Sequence, residues 1–125
     1  MGAAADTVNA FIAAIDRNDL DAALQYAAPG ITYDNVPLAT VQGVEAVRDV
    51  LGPFLGQATA VEFRIIRQAE QGNLVLNERL DRFELGGRWI ELAVAGVFEV
   101  DDSGHIVLWR DYFDKGQFEA AMSPA

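Results

Sequence analysis

Val8, Phe11, Ile12 and Ile15 recur at three- and four-residue intervals, the spacing that lines apolar side chains along one stripe of a helix. Asp6 or Thr7 stands where an N-cap could open that helix. A second helix is predicted after Asn18, with Leu20, Ala23, Leu24 and Ala27 on one side and Pro29-Gly30 ending it. Residues 31–36 read as a short extended segment. A third helix is predicted over residues 44–51, with Pro53 marking its end or a kink.

Beyond residue 60 the apolar period shortens to two. Strands are predicted over residues 61–67, 74–84, 88–100 and 105–113. Turn residues separate them: Gln71-Gly72-Asn73, the tight pair Gly86-Gly87, and Asp101-Asp102-Ser103-Gly104. A short helix over residues 115–122 closes the chain. There is no linker, repeat or low-complexity stretch. Helices followed by strands predict an α+β fold, a curved antiparallel sheet wrapped around the helices, with residues 1–125 as one domain. In the third long strand Ile90, Leu92, Val94, Gly96 and Phe98 share an apolar face, as on a strand whose one side covers a core.

Composition narrows the function. The chain has 125 residues, 51% hydrophobic and 22% charged, which suits a soluble globular domain with a sizeable core. Nine Lys and Arg against 19 Asp and Glu give a net charge of −10. That charge repels phosphates, so neither nucleic acid nor an anionic membrane is expected as a partner. Without cysteine there is no disulfide, thiolate nucleophile or Cys-based metal site. The one histidine, His105, follows Gly104 at a predicted turn, which argues against a metal site and a Ser-His-Asp triad. Neither a membrane-length apolar run nor a leader pattern is visible, so the expected location is cytoplasmic.

Two polar strings interrupt the apolar strands. In Asn77-Glu78-Arg79-Leu80-Asp81, alternation puts Asn77, Arg79 and Asp81 on one face with Val75. The opposite face is also mixed, so an exposed ion pair is an equal reading of this string. In Trp109-Arg110-Asp111-Tyr112-Phe113-Asp114, Asp111 shares a face with Trp109 and Phe113. A carboxylate between two aromatics is costly unless paired, although it could instead tie down a turn. If both faces line one pocket, two carboxyls flank a guanidinium, and one carboxyl can act as acid while the other acts as base. Tyr33 and Asn35 again alternate and can hydrogen-bond a small molecule such as water; Asp34-Asn35 before Val36-Pro37 also reads as an ordinary turn.

Taken together, Tyr33-Asp34-Asn35-Val36-Pro37-Leu38, the 77–81 string, Gly96-Val97-Phe98-Glu99-Val100 and the 109–114 string resemble limonene-1,2-epoxide hydrolase. That family belongs to the nuclear-transport-factor-2-like, or ketosteroid-isomerase-like, fold group. The similarity covers nearly the whole chain in one order. It implies a cone-shaped fold with a deep apolar pocket, a homodimer, and one-step hydrolysis of a cyclic or terpene-type epoxide to a vicinal diol without metal or cofactor. It further implies that Asp111 is the general base, that Tyr33 and Asn35 hold the attacking water, that Asp81 is the general acid, and that Arg79 bridges the carboxyls. Candidate pocket walls are Ile12, Ile15, Leu51, Phe54, Leu92, Val94, Trp109 and Phe113. The competing expectation within the same fold group is a ketosteroid-isomerase-like proton shuttle or a polyketide cyclase-like enzyme.

Overall fold

The computed structural model describes residues 2–123. In chain order the elements are helices α1 (Ala3–Asp16) and α2 (Leu20–Leu24), strands β1 (Ala27–Asn35) and β2 (Thr40–Gln42), helix α3 (Val44–Gln57), strands β3 (Ala60–Gln71), β4 (Leu74–Leu85), β5 (Arg88–Val100) and β6 (Ile106–Tyr112), and helix α4 (Lys115–Met122). Among the described residues the strands form one sheet in the order β2-β1-β6-β5-β4-β3. Neighbours are antiparallel except β1 and β6, which run parallel. The α+β expectation holds, with a mixed sheet.

The core lies between one face of this sheet and the helices. Val8, Phe11, Ile12 and Ile15 are buried along α1 as their spacing predicts. Phe11 meets Trp109 edge-on at 5.0 Å and Phe98 at 6.4 Å. Ile90, Leu92, Val94 and Phe98 bury one face of β5, and the alternating positions face out. The Gly86-Gly87 turn has φ of +57° and +78°, the mirror-image hairpin geometry that glycine enters without penalty.

Several local expectations are corrected. Helix α1 begins at Ala3, so neither Asp6 nor Thr7 caps it. Its first amides are instead met by Glu70 of β3, whose carboxylate accepts from the Gly2 and Ala5 N–H groups at 2.8 and 2.7 Å. The second helix stops at Leu24, and Pro29-Gly30 falls inside β1. The β1–β6 register shifts between Ala27 and Thr32. A proline, which has no amide to give, is tolerated at such an irregularity. Helix α3 runs through Pro53 to Gln57, because Val47, Leu51 and Leu55 continue one buried stripe across it. Strand β2 carries no apolar run of its own, so the hydrophobic pattern does not predict it; it forms by pairing with Thr32, Tyr33 and Asp34.

Candidate active site

The 77–81 string lies on the buried side of β4. Val75, Asn77, Arg79 and Asp81 are all buried, with Arg79 only 1% exposed, so the exposed ion-pair reading is wrong. The register sets Asn77 opposite Gly96 and Arg79 opposite Val94 on β5. On the far side of β5, Asp111 of β6 is also opposite Gly96. The parallel pairing of β1 with β6 then brings Tyr33 beside Trp109 and Asn35 beside Asp111. Three strands, β1, β4 and β6, therefore deliver the polar set to one region of the sheet, with β5 lying between β4 and β6.

Arg79 organises the set. Its Nε and Nη2 donate to the two oxygens of Asp81 at 2.9 and 3.0 Å. Nη2 also donates to Asp111 Oδ2 at 2.9 Å, and Nη1 donates to Asn77 Oδ1 at 2.9 Å. Asn77 in turn donates to Gln68 at 3.0 Å. The guanidinium also lies 5.3 Å from the centroid of the Phe63 ring and 5.9 Å from that of Phe98. Paired this way, three ionisable groups are held out of water with their donors and acceptors met, which is what burial of charge requires. No buried side-chain nitrogen or oxygen among the described residues lacks a hydrogen-bond partner.

The environment separates the protonation behaviour of these groups. The Asp81 carboxyl is pushed up to about 6, by burial first and by the negative charges of Asp111 and Asp16, against the downward pull of Arg79. Burial, reinforced by the charge of Asp111, raises the Tyr33 phenol above its ordinary range, although a hydrogen bond with Asn35 works the other way. Tyr33 therefore stays protonated at neutral pH. Burial works against the Arg79 charge, but Asp111 and Asp81 more than offset it, and its pKa is raised. One cation beside two carboxyls is electrically balanced when one carboxyl holds a proton.

These groups open onto a cavity of about 270 Å³, lined by Tyr33, Asn35, Asp81 and Asp111 among apolar side chains. Of the sequence-derived wall residues, Ile15, Leu51, Phe54, Leu92, Val94 and Phe113 line it. Ile12 and Trp109 do not. Ile12 is packed into the core. Trp109 lies behind the polar set, stacked on Tyr33 at 4.0 Å, and its indole Nε1 donates to Asp111 Oδ1 at 2.9 Å. Leu38, Val50, Leu55, Phe63, Phe83 and Phe118 complete the wall. Two of these were accessible to strand and helix periodicity: Phe83 is two residues beyond Asp81, and Leu55 is one turn beyond Leu51. The hydrogen bonds from Asn77 and Trp109 left no mark in the sequence, because they depend on rotamers and cross-strand register. His105 sits in the β5–β6 turn, its Nδ1 3.0 Å from Ser103 Oγ, and does not line the cavity.

Comparison with known proteins gives a consistent result. The family model described as limonene-1,2-epoxide hydrolase catalytic domain matches residues 2–122. The chain is 36% identical over 107 residues to "Epoxide hydrolase EphG" of Mycobacterium tuberculosis, covering 86% of this chain and 70% of that protein. A solved structure described as an M. tuberculosis LEH-like epoxide hydrolase aligns with a TM-score of 0.84 at 33% identity, over 96% of this chain and 89% of that one. An NTF2-like protein of unknown function from Burkholderia pseudomallei aligns with a TM-score of 0.85 at 20% identity, over 99% of this chain and 100% of that one, a likeness of fold alone.

Proposed function

The chain belongs to the limonene-1,2-epoxide hydrolase family and is a hydrolase acting on epoxides; on that premise, we propose that it opens a cyclic or terpene-type epoxide in one step with the Asp81–Arg79–Asp111 set. The observation that carries this reading is the Arg79 fork, which joins two buried carboxyls at the wall of an apolar cavity.

Epoxide opening needs a nucleophile at carbon and a proton at oxygen. Asp81, raised by burial, is the group suited to hold that proton and donate it to the leaving oxygen. Asp111 takes a proton from water as the water oxygen bonds to carbon and the carbon–oxygen bond breaks. Asn35, opposite Asp111 in register, and Tyr33, opposite Trp109 and lining the same cavity, hold that water. After turnover Asp111 carries a proton and Asp81 has lost one; exchange with solvent resets the pair. Arg79 keeps the two carboxyls in opposite states, since its single charge balances only one carboxylate. The apolar wall favours a hydrocarbon epoxide over a charged one.

The direct test is incubation of the purified protein, without added metal or cofactor, with limonene oxide and with cyclohexene oxide, followed by detection of diol. Diol from wild type and none from Asp81→Asn or Asp111→Asn supports the reading. Diol from either variant at more than roughly a tenth of the wild-type rate removes that residue's role, because a positioned acid or base is worth ~10²–10⁴-fold. We also propose that the chain pairs as a homodimer through the outer face of the long strands, where Leu76 and Tyr112 are exposed beside Val97. Sedimentation at a monomer mass across micromolar concentrations would contradict that pairing.

A further inference from the structure

Along the buried face of β5, Ile90, Leu92, Val94 and Phe98 all present side chains, and Gly96 presents none. Glycine weakens a strand interior and is unusual there without a reason. Backbone conformation is not that reason, because Gly96 is absent from the glycines with positive φ. Space is. A Cβ at Gly96 would overlap Arg79 Nη1, and would stand 2.8 Å from Asn77 Oδ1 and 3.0 Å from Asp111 Oδ1.

The register explains why these three atoms meet there. Arg79 starts on β4 and Asp111 on β6, with β5 between them. Two strand spacings separate their backbones, roughly 9–10 Å. The guanidinium has to cross β5 to reach Asp111, and the position it crosses is the one opposite both Asn77 and Asp111. Arg79 has little freedom to give way. Four hydrogen bonds fix it, the Phe63 and Phe98 rings lie close by, and it is 1% exposed.

We propose that Gly96 is a positioning residue for the acid–base set: its missing side chain opens a trough across β5 through which Arg79 connects Asp81 to Asp111. The catalytic consequence rests on the epoxide-opening reading above; the contact between Gly96 and Arg79 does not.

Thermal unfolding of four proteins separates the two: wild type, Gly96→Ala, Arg79→Ala and the double variant. In the presence of Arg79, Gly96→Ala lowers the unfolding midpoint or prevents folding. In the Arg79→Ala background the same methyl group lowers the midpoint less, because the overlap with Nη1 is gone and only the Asn77 and Asp111 side-chain oxygens remain close. Equal damage in both backgrounds, including failure to fold in both, overturns the proposal, since the glycine would then serve something other than Arg79. Where Gly96→Ala folds, its turnover of cyclohexene oxide falls at least ten-fold. Its alkaline activity limb also moves to higher pH, because Asp81 loses the guanidinium that holds it down while the charges of Asp111 and Asp16 still push it up. Unchanged turnover and an unchanged pH profile would overturn the catalytic half. If wild type itself makes no diol, the unfolding comparison still decides whether Gly96 serves Arg79.

Discussion

At the scale of single residues, the proposed mechanism makes the shape of Arg79 matter more than its charge. A lysine ammonium in its place keeps the positive charge but cannot hold both oxygens of Asp81 and reach Asp111 and Asn77 together. Arg79→Lys should therefore lose at least ten-fold in kcat, measured by diol formation. Turnover near wild type would mean that Arg79 supplies only a positive field. In the proposed mechanism Asp81 sets the pH dependence: it donates its proton to the epoxide oxygen, and its carboxyl is pushed up to about 6 from the ordinary 3.8. Activity therefore falls as pH rises through its ionisation, and kcat/KM declines on the alkaline side with a midpoint of about 6 in the free enzyme. A profile that instead rises steadily from pH 5 to 9 would show that no protonated carboxyl is needed. Much of this set was legible in the sequence, because alternation alone groups Asn77, Arg79 and Asp81. Which side of β4 faces inward was not, since Leu76, Glu78, Leu80 and Arg82 on its other face are equally mixed. The support given to the set by Asn77, Trp109 and Gly96 was also hidden, because it comes from neighbouring strands in register.

At the scale of elements, the helices are held by residues remote in sequence. Glu70 of β3 meets the first amides of α1. Asn18, just past the end of α1, has φ +57° and donates from its side-chain amide to the carbonyls of Leu55 and Ala58 at 3.0 and 3.1 Å. It thus satisfies carbonyls at the C-terminal end of α3, the helix that contributes Val50, Leu51, Phe54 and Leu55 to the cavity wall. Asn18→Ala loses those bonds and must hold alanine in a left-handed conformation, and should destabilise by about 1–3 kcal/mol in chemical denaturation. Asn18→Gly loses the same bonds without the conformational strain and should cost less. Equal losses would show that the backbone at residue 18 carries no strain. The sequence located α1 and the long strands, because their periods are sustained, although the first of those strands runs on to Gln71 rather than ending at residue 67. It misplaced the boundary between α2 and β1, because a Pro-Gly pair that usually ends a helix here occupies an irregular stretch of strand. It also let Pro53 mark an end or a kink in α3, whose apolar stripe in fact runs on to Leu55.

For the molecule as a whole, the sheet order converts separate sequence strings into one site. Parallel pairing of β1 with β6 brings Tyr33 and Asn35 to Asp111, and antiparallel pairing through β5 brings Arg79 and Asp81 to the same place. No spacing rule along the chain predicts that order; the resemblance of the four strings to one family supplied it. Helices and the inner sheet face then enclose these polar groups in an apolar cavity. This arrangement suits direct attack by water. The one histidine lies in the β5–β6 turn and outside the cavity wall, so no imidazole is at hand to activate water against an ester of Asp111. The central claim, that water bonds to carbon without a covalent enzyme intermediate, is tested most directly by a single turnover in heavy-oxygen water with enzyme in excess. Mass analysis of the diol then reports which oxygen entered first. The account predicts one heavy oxygen in the diol from the first turnover. An unlabelled diol, its new oxygen taken from an aspartate carboxylate, would contradict it and make Asp111 or Asp81 the nucleophile.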